Sequence, residues 1–367
     1  MTDRILLVAS HGVAEYDDLR MFSDLGYDVF APGGYADPSH PGETLRPALP
    51  NAPHHPELAA LCDIQREKHA GEPVDWAIDW AKADLHPDLI DWADAIIVHH
   101  FPERWIGGQW RRLADKRVIW RTCGQSDPGL ERLMTPYARN GMEIVRYSPT
   151  ERDFYRTVGD FAGEDAMIRF GKYPGDYGPW LGDDPVVGNV SQWRAGADPL
   201  ARRDALSLDF WLEATKGLPT RPAGPGSEAL PLGLGELSYG AMLEYLRHIR
   251  VYLYTGTAPA SYTLGLIEAM MTGVQVVSIG AHAWAGPALL FEGDALAGRY
   301  FSDPQSARVA LRSFLDDPGD LGAYQRDRAI EWFGIDTVGR QWADFLGAPS
   351  RPRETSLSRI EWLVAPW

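Results

Sequence analysis

The stretch from Val251 to Ile279 constrains the fold more tightly than any other part of the sequence. It begins with a short apolar run that favours a strand, and residues 256–261 have the composition of a turn. Residues 264–271 favour a helix, Gly273 ends it, and residues 274–279 form a second apolar run. This order predicts a β–α–β unit with two parallel strands and a helix that crosses over one face of the sheet.

The first turn of this helix is a candidate site for an anion. Its backbone N–H groups have no partner within the helix, and they carry the positive end of the helix dipole. A phosphate is therefore bound favourably at such a position. We predict that the amides of Thr263, Leu264 and Gly265 bind a diphosphate. The alternative interpretation is an ordinary capped helix start.

Length and composition bound the class of protein. A chain of 367 residues exceeds one ordinary core of roughly 150 residues, so we expect two domains with a cleft between them. No apolar run reaches the ~18 residues of a membrane span, and the N-terminus enters a predicted strand without the pattern of a signal peptide. The two cysteines, Cys62 and Cys123, predict neither a disulfide framework nor a zinc site. We expect a cytoplasmic protein, or one in the host cytoplasm if a phage encodes it.

The net charge argues against a general nucleic-acid binder. The chain carries a formal charge of −16, and it has no long run of Lys and Arg that would form a basic stripe. A local basic surface remains open, because net charge does not report on one patch. Its candidate members are Arg104, Arg111, Arg112 and Arg121.

Strands and helices alternate along the first half of the chain. Strands are predicted at residues 4–10, 27–31, 95–99, 117–121 and 143–147, and helices at residues 16–25, 56–66, 74–82, 105–114 and 131–140. Residues 32–56 are dense in Gly, Pro and His, which predicts a long loop at a functional rim. Alternating helices and strands that are apolar on both faces are typical of a doubly wound parallel sheet.

A second half of the same kind follows a segment rich in Gly, Pro and aromatic residues at 159–185. Beyond it, strands are predicted at residues 186–190, 251–254 and 274–279, and helices at residues 204–215, 239–248, 264–271, 307–315, 321–332 and 337–346. The predicted fold class is therefore α/β, with two Rossmann-like doubly wound parallel-sheet domains facing a cleft. We place a first domain at residues 1–165, a second domain at 166–347 and a tail at 348–367.

The motif around the predicted helix resembles that of the GT-B glycosyltransferases, and within them the retaining enzymes of glycosyltransferase family four. The residues that fit the family's pattern are Ser261, Tyr262, Gly265, Glu268, Ala269, Met270, Gly273, Val276 and Val277. Two runs in the first half, residues 120–126 and 145–151, resemble glycosyltransferases of bacteria and their phages. Three positions depart from the family pattern: its first Glu falls on Ala260, a Gly on Thr263 and a Pro on Gln275.

The resemblance implies an enzyme that moves a sugar from a nucleotide-diphosphate sugar to an acceptor hydroxyl, with retention of configuration, no metal and no further cofactor. The acceptor stays open between a small molecule, a polysaccharide, a protein side chain and a hydroxymethylated DNA base. Because Ala260 replaces a carboxylate that contacts the donor sugar in the family, a nucleotide-sugar-binding module without turnover is a second hypothesis. An epimerase of the same architecture is a third.

The resemblance also assigns residues to the donor. Glu268 is expected to accept hydrogen bonds from the ribose hydroxyls, since a carboxylate offers two acceptor oxygens; an exposed helix Glu is the alternative. Tyr262, the aromatic residue of the motif, is placed at the same nucleotide site. Arg194 is the candidate that stabilises the leaving diphosphate. No Lys stands at the family's usual offset, so Arg202 or Arg203 is expected to take that role, while Lys216 lies too late in the sequence.

In the first domain, His99 and His100 end a predicted strand, where ligands meet a parallel sheet. The resemblance implies that one of them contacts the donor sugar, with His11 on the first loop as the competitor. Gly12 on that loop is a further candidate ligand-binding residue. Residues 121, 124 and 125 end the next strand and are candidates for the acceptor side, although a tight turn is an equally good interpretation.

Two acidic pairs, Asp183-Asp184 and Asp316-Asp317, are candidates for a metal site. Each pair lies in a turn or at a helix end, without further ligands nearby in the sequence. We interpret both as solvated turns and predict no metal ligand.

Overall fold

The computed structural model describes residues 3–9, 11–39, 46–68, 85–100, 102, 106, 109–113, 115–124, 128–191, 193, 201–255, 261–279, 300–301 and 303–350, with the backbone alone at 63–68, 201–207, 279 and 300. The chain divides into two units: Met1–Gly171 together with Val338–Trp367 form unit 1, and Lys172–Thr337 form unit 2. The chain thus leaves unit 1 at residue 171 and returns to it at residue 338, whereas the sequence predicts boundaries at residues 165 and 347.

The described residues contain eleven strands and eleven α-helices. The strands are β1 Arg4–Val8, β2 Asp28–Phe30, β3 Ala95–His99, β4 Arg117–Arg121, β5 Glu143–Arg146, β6 Ala166–Met167, β7 Asp184–Val190, β8 Thr220–Ala223, β9 Ile249–Tyr254, β10 Gln275–Ile279 and β11 Tyr300–Phe301. The helices are α1 Gly12–Asp24, α2 Pro56–Lys68, α3 Pro87–Trp92, α4 Pro128–Arg139, α5 Pro149–Val158, α6 Ala201–Ala214, α7 Tyr239–His248, α8 Leu264–Thr272, α9 Pro304–Asp316, α10 Leu321–Phe333 and α11 Ile335–Gly347.

Unit 1 is built on a six-stranded parallel sheet in the order β2-β1-β3-β4-β5-β6. The chain winds outward from β1 to β2 and then crosses back over β1 to place β3 on its other side. The winding direction therefore reverses between β1 and β3, and the carboxyl ends of these two strands border the crevice where ligands bind in open α/β sheets. Every residue of β3 is buried, which explains its continuous apolar pattern.

Unit 2 repeats this topology with a five-stranded parallel sheet in the order β8-β7-β9-β10-β11. Its winding direction reverses between β7 and β9. One core cluster includes Val187, Val251, Leu253 and Val277 of the strands together with Leu311 of α9. The crevice of unit 2 is thus expected at the carboxyl ends of β7 and β9.

The predicted fold class is confirmed, since both sheets are parallel and helices connect their strands. The helix α5 is missing from the prediction although its signals are present in the sequence. Ser148 caps the helix by accepting a hydrogen bond from the Thr150 amide at 3.2 Å, Pro149 opens it, and Gly159 ends it with φ 81°. The helix predicted at 74–82 lies outside the described residues, as do residues 105, 107, 108 and 114 of the one predicted at 105–114.

The two runs at 120–126 and 145–151 meet in unit 1. The Thr122 hydroxyl donates to a Glu151 carboxylate oxygen at 2.5 Å and accepts from the Tyr147 amide at 3.3 Å. Beside them, the Arg146 guanidinium forms a bidentate ion pair with Glu131 at 2.5 and 2.7 Å, and both side chains are buried. These contacts tie the carboxyl ends of β4 and β5 to α4 and α5.

Removal of one partner of this ion pair is expected to destabilise the protein strongly. Arg146→Met leaves the Glu131 carboxylate buried without its cation, at a cost of about 3–5 kcal/mol in the free energy of unfolding. The double variant Arg146→Met/Glu131→Leu removes both charges, and its free energy of unfolding is expected to fall by less. Urea denaturation of the three proteins measures the difference. A double variant that is less stable than the single one would contradict this account.

Candidate functional site

Helix α8 begins at the carboxyl edge of the sheet in unit 2. A Cβ atom on Gly265 would lie 3.5 Å from the carbonyl oxygen of Val190, the last residue of β7, and 3.5 Å from the Tyr252 hydroxyl of β9. The first turn of α8 therefore lies where β7 and β9 end. This is the point in unit 2 at which the winding direction reverses.

The first turn is also the part of the motif that solvent reaches. Thr263, Leu264 and Gly265 are partly exposed, whereas every other residue from 261 to 278 is buried. Thr263 is the N-cap, and its hydroxyl accepts a hydrogen bond from the Leu266 amide at 3.4 Å. No acceptor for the amides of Leu264 and Gly265 lies among the residues that the structure describes, as expected for the first two positions of a helix. These two amides are available to an anion.

The Thr263 backbone lies against the Tyr254 hydroxyl at the end of β9. Burial raises the pKa of Tyr254 above its ordinary value, so the hydroxyl remains protonated at neutral pH. Within the predicted cradle, Thr263 therefore borders the end of β9.

Glu268 is buried, which is the reverse of the exposed helix Glu that the sequence left open. It is 3% exposed, and its Oε1 atom lies 2.9 Å from the Nζ atom of Lys172, which is 1% exposed. Its neighbours on α8 are apolar and buried. The carboxylate therefore depends on a cation that comes from the beginning of unit 2.

Tyr262 supports the loop ahead of α8. Its side chain is 2% exposed, and its ring packs against Phe333 with 5.3 Å between the centroids. The Phe333 carbonyl oxygen in turn accepts a hydrogen bond from the Lys172 amide at 2.7 Å. The aromatic residue of the motif is thus anchored to the same segment that carries the partner of Glu268.

Asn189 lies one residue before the end of β7 and is 1% exposed. Its side-chain amide donates to the Leu253 carbonyl at 2.5 Å and lies 3.5 Å from the Thr255 hydroxyl. This bond fixes the carboxyl ends of β7 and β9 relative to each other, beside the start of α8.

In unit 1, the structure separates the three candidate histidines. His99 is fully buried, with its Nε2 atom 3.1 Å from an oxygen of Asp18. His100 has φ 61°, a left-handed conformation that is uncommon for a residue with a side chain. Its ring lies 5.6 Å from the ring of His11, which is partly exposed. His11 and His100 therefore lie together at the ends of β1 and β3.

His100 is a neutral imidazole at physiological pH. Burial, together with the rings of His11 and His99, holds the pKa of His100 well below its ordinary value. Its carbonyl oxygen accepts a hydrogen bond from Nε1 of Trp120 at 2.9 Å, which fixes the backbone in its uncommon conformation. A neutral ring of this kind can both donate and accept a hydrogen bond.

Arg121 does not reach the surface that the sequence assigned to an acceptor. It is fully buried, its Nε atom lies 3.0 Å from Asp18, and its guanidinium stacks between Phe170 and Trp342 at 4.9 Å from each ring centroid. Asp18 thus bridges Arg121 and His99 beneath the edge of the sheet. Gly124 has φ 81°, which matches the tight turn that was the alternative interpretation.

Glu15 is a further buried carboxyl group at this edge. One of its oxygens accepts a hydrogen bond from the Gly33 amide at 2.6 Å, beyond the end of β2. Burial raises the pKa of Glu15 to about 8, and the Gly33 bond lowers it only in part. Gly12, predicted on the first loop, is instead the first residue of α1 and is buried.

Several predicted residues lie outside the described part of the chain: Arg194, Ala260, Gln125 and Arg104. Arg202 and Arg203 lie in α6 as backbone only, and Lys216 is exposed beyond its end. Asp183 lies 2.7 Å from His248, and Asp184 pairs with Arg221, so both carboxylates have partners within unit 2. No helix among the described residues has the length and apolarity of a membrane span.

Sequence reasoning missed Lys172, Asp18 and Asn189. Lys172 lies in a segment of Gly, Pro and Tyr without periodicity, so nothing local predicts its partner. Asp18 gives a detectable signal, because a carboxylate three residues after Glu15 puts two acids on one face of a helix that packs on the sheet.

The free energy of unfolding is expected to fall as the pH rises from 4.5 to about 8, the range between the ordinary and the raised pKa of Glu15. The carboxyl binds a proton in the folded protein up to about pH 8 but releases it near its ordinary value of 4.5 when unfolded. Folding therefore takes up a proton between these values. Glu15→Gln, which stays neutral, is expected to raise Tm more at about pH 8 than at about pH 5. The exposed Glu228→Gln is the matched control; equal changes for Glu15→Gln at both pH values would contradict the burial account.

Three solved structures are similar to the chain over almost its whole length. Sucrose-phosphate synthase from Thermosynechococcus elongatus has a TM-score of 0.62 and 14% identity, with 95% of this chain and 98% of that chain covered. HepE from Anabaena, in complex with UDP and glucose, has a TM-score of 0.60 and 13% identity, with 95% and 100% covered. A glycosyltransferase from Rickettsia africae has a TM-score of 0.59 and 12% identity, again with 95% and 100% covered.

No protein-family model matches the sequence, and a search of curated proteins gives no match. At identities this low, the structural similarity establishes the fold alone. The predicted resemblance to GT-B glycosyltransferases is confirmed at that level: this chain has the fold of these structures.

Proposed function

We propose that the protein is a glycosyltransferase that moves a sugar from a nucleotide-diphosphate sugar to an acceptor hydroxyl. The observation that carries this proposal is the start of α8 in unit 2. Its first turn is partly exposed at the ends of β7 and β9, and the buried carboxyl group of Glu268 follows one turn later. HepE, which has the same fold, was solved with UDP and glucose. The motif, the fold and the geometry of this turn all support the proposal of a nucleotide-sugar donor site.

The donor is proposed to bind along the first two turns of α8. The amides of Leu264 and Gly265 hold the diphosphate, where the helix dipole favours negative charge. Glu268 lies four residues after Leu264, about 6 Å further along the helix axis. Its carboxylate is proposed to accept hydrogen bonds from the ribose hydroxyls of the same nucleotide.

When the bond between the sugar and the diphosphate breaks, its electrons move to the diphosphate oxygen. Positive charge near that oxygen stabilises the departing diphosphate. Arg194, four positions after the last residue of β7 in the sequence, stays the predicted source of that charge, with Arg202 as a second cation. The proposed reaction proceeds with retention and without a metal, as the resemblance implies. The protein then contributes by positioning the substrates and by stabilising the leaving group.

Unit 1 is proposed to bind the acceptor and to contact the sugar through His100 and His11. Both rings lie at the ends of β1 and β3, and His100 is neutral and held in an uncommon backbone conformation. Strained residues of this kind cluster at functional sites. A small molecule, a polysaccharide or a protein hydroxyl suits a chain of net charge −16 better than a DNA base does.

A nucleotide-sugar-binding module without turnover is the second candidate, because Ala260 stands where the family has a sugar-binding Glu. Incubation with a nucleotide sugar separates the two. Slow release of free nucleotide supports the enzyme, whereas stabilisation by the nucleotide sugar without any release supports the module.

Glu268→Ala is expected to weaken nucleotide binding by at least tenfold, since the ribose hydroxyls lose their acceptor; tenfold corresponds to about 1.4 kcal/mol. The donor is first found by thermal shift against uridine, guanosine, adenosine and thymidine diphosphates and their sugars, and calorimetry then gives the affinities. The control is Glu331→Ala, which removes an exposed carboxylate of unit 2. An affinity within about threefold of the wild type would show that Glu268 does not bind the nucleotide.

His100→Asn is expected to lower kcat by about 10²-fold while leaving nucleotide affinity unchanged, because the side chain belongs to the acceptor unit. Asn tolerates the left-handed backbone, so the fold is preserved. His248→Asn, on an exposed helix end of unit 2, is the control. Full activity of the His100→Asn protein would exclude the ring from the reaction.

A further inference from the structure

The cation beside Glu268 comes from a part of the sequence that the motif does not include. Lys172 is separated from Glu268 by 96 positions, yet its Nζ atom lies 2.9 Å from the carboxylate. Both side chains are buried. The Tyr252 hydroxyl of β9 also interacts electrostatically with Glu268.

The backbone of Lys172 is clamped on both sides. Its amide donates to the Phe333 carbonyl at 2.7 Å, and its own carbonyl accepts from the Ile335 amide at 2.9 Å. Phe333 also packs against Tyr262, two residues before α8. The Lys172 ammonium therefore belongs to a fixed segment that also supports the loop at the start of α8.

Stability alone is a poor explanation for this pair. Burying two charges costs desolvation energy, and an apolar pair of similar volume is often at least as stable. The other residues of α8 from Leu266 to Met271 are apolar and buried, so an apolar side chain at 268 would continue the pattern. A charge retained in such a helix indicates a role in binding.

We propose that Lys172 is a positioning residue for nucleotide recognition, which keeps Glu268 charged and orients its carboxylate toward the vicinal diol of a ribose. This inference rests on the proposed function. It also names the substrate class: a ribonucleoside diphosphate sugar is preferred over its 2′-deoxy counterpart, because a carboxylate acceptor is left without its full set of donors when one hydroxyl is missing.

The test compares the affinities of UDP with 2′-deoxy-UDP and of GDP with 2′-deoxy-GDP. The wild type is expected to prefer the ribonucleotide by at least tenfold in the pair that binds. Lys172→Met is expected to lower the affinity for the ribonucleotide by at least tenfold and the affinity for the deoxynucleotide much less. The ratio of the two affinities then falls toward one. A purely structural role would weaken both nucleotides equally.

Lys216→Met is the matched control, because it removes an exposed lysine from the same unit and is expected to leave both affinities unchanged. Thermal unfolding of each variant monitors the fold. Should Lys172→Met fail to fold, Lys172→Gln and Lys172→Arg provide the same comparison. Lys172→Arg, which keeps the cation, is expected to retain more of the preference than Lys172→Gln.

A double-mutant cycle with Glu268→Gln identifies the route of the effect. If Lys172 acts through the carboxylate, Lys172→Met causes little further loss once Glu268 is already Gln. Independent, additive losses would overturn the positioning role, as would a ribose preference that Lys172→Met leaves intact. Failure of the wild type to bind any nucleotide is a different result: it removes the proposed function itself, and this inference with it.

Discussion

A carboxylate inside an apolar helix needs a cation beside it, and the arrangement of unit 2 around α8 follows from that requirement. Glu268 cannot remain charged among Ile267, Ala269 and their neighbours unless an ammonium compensates the lost hydration. Lys172 supplies it from the first residue of the unit. The Lys172 backbone is in turn hydrogen-bonded to Phe333, the last residue of α10, and to Ile335, the first of α11. The Phe333 ring packs on Tyr262 in the loop before α8.

Unit 1 meets a similar requirement in a different way. Asp18 is shared between Arg121 and His99, and all three side chains are buried beneath the edge of the sheet. Two further groups at this edge are neutral at physiological pH, because burial holds the pKa of His100 well below its ordinary value and raises the pKa of Glu15 to about 8.

Much of the fold was predictable because local sequence patterns, such as apolar periodicity and capping residues, specify it. Helix α7 begins and ends where the sequence predicts, and α8 extends one residue further, to Thr272, before Gly273 stops it. Helix α5 is absent from the prediction even though Ser148 and Pro149 mark its start. The predicted anion site rests on the same local reasoning, since the first turn of a helix lacks helical partners whatever surrounds it.

By itself, the sequence determined the fold class, most of the strands and helices, and the first turn of α8 without helical partners, because periodicity and capping act over a few residues. Only the tertiary structure decided that Glu268 is buried, that Lys172 is its partner, and that His99 lies inside while His100 lies beside His11. The physical reason is the topology: parallel strands bring together residues that are far apart in the chain, and no local pattern encodes which charges then meet.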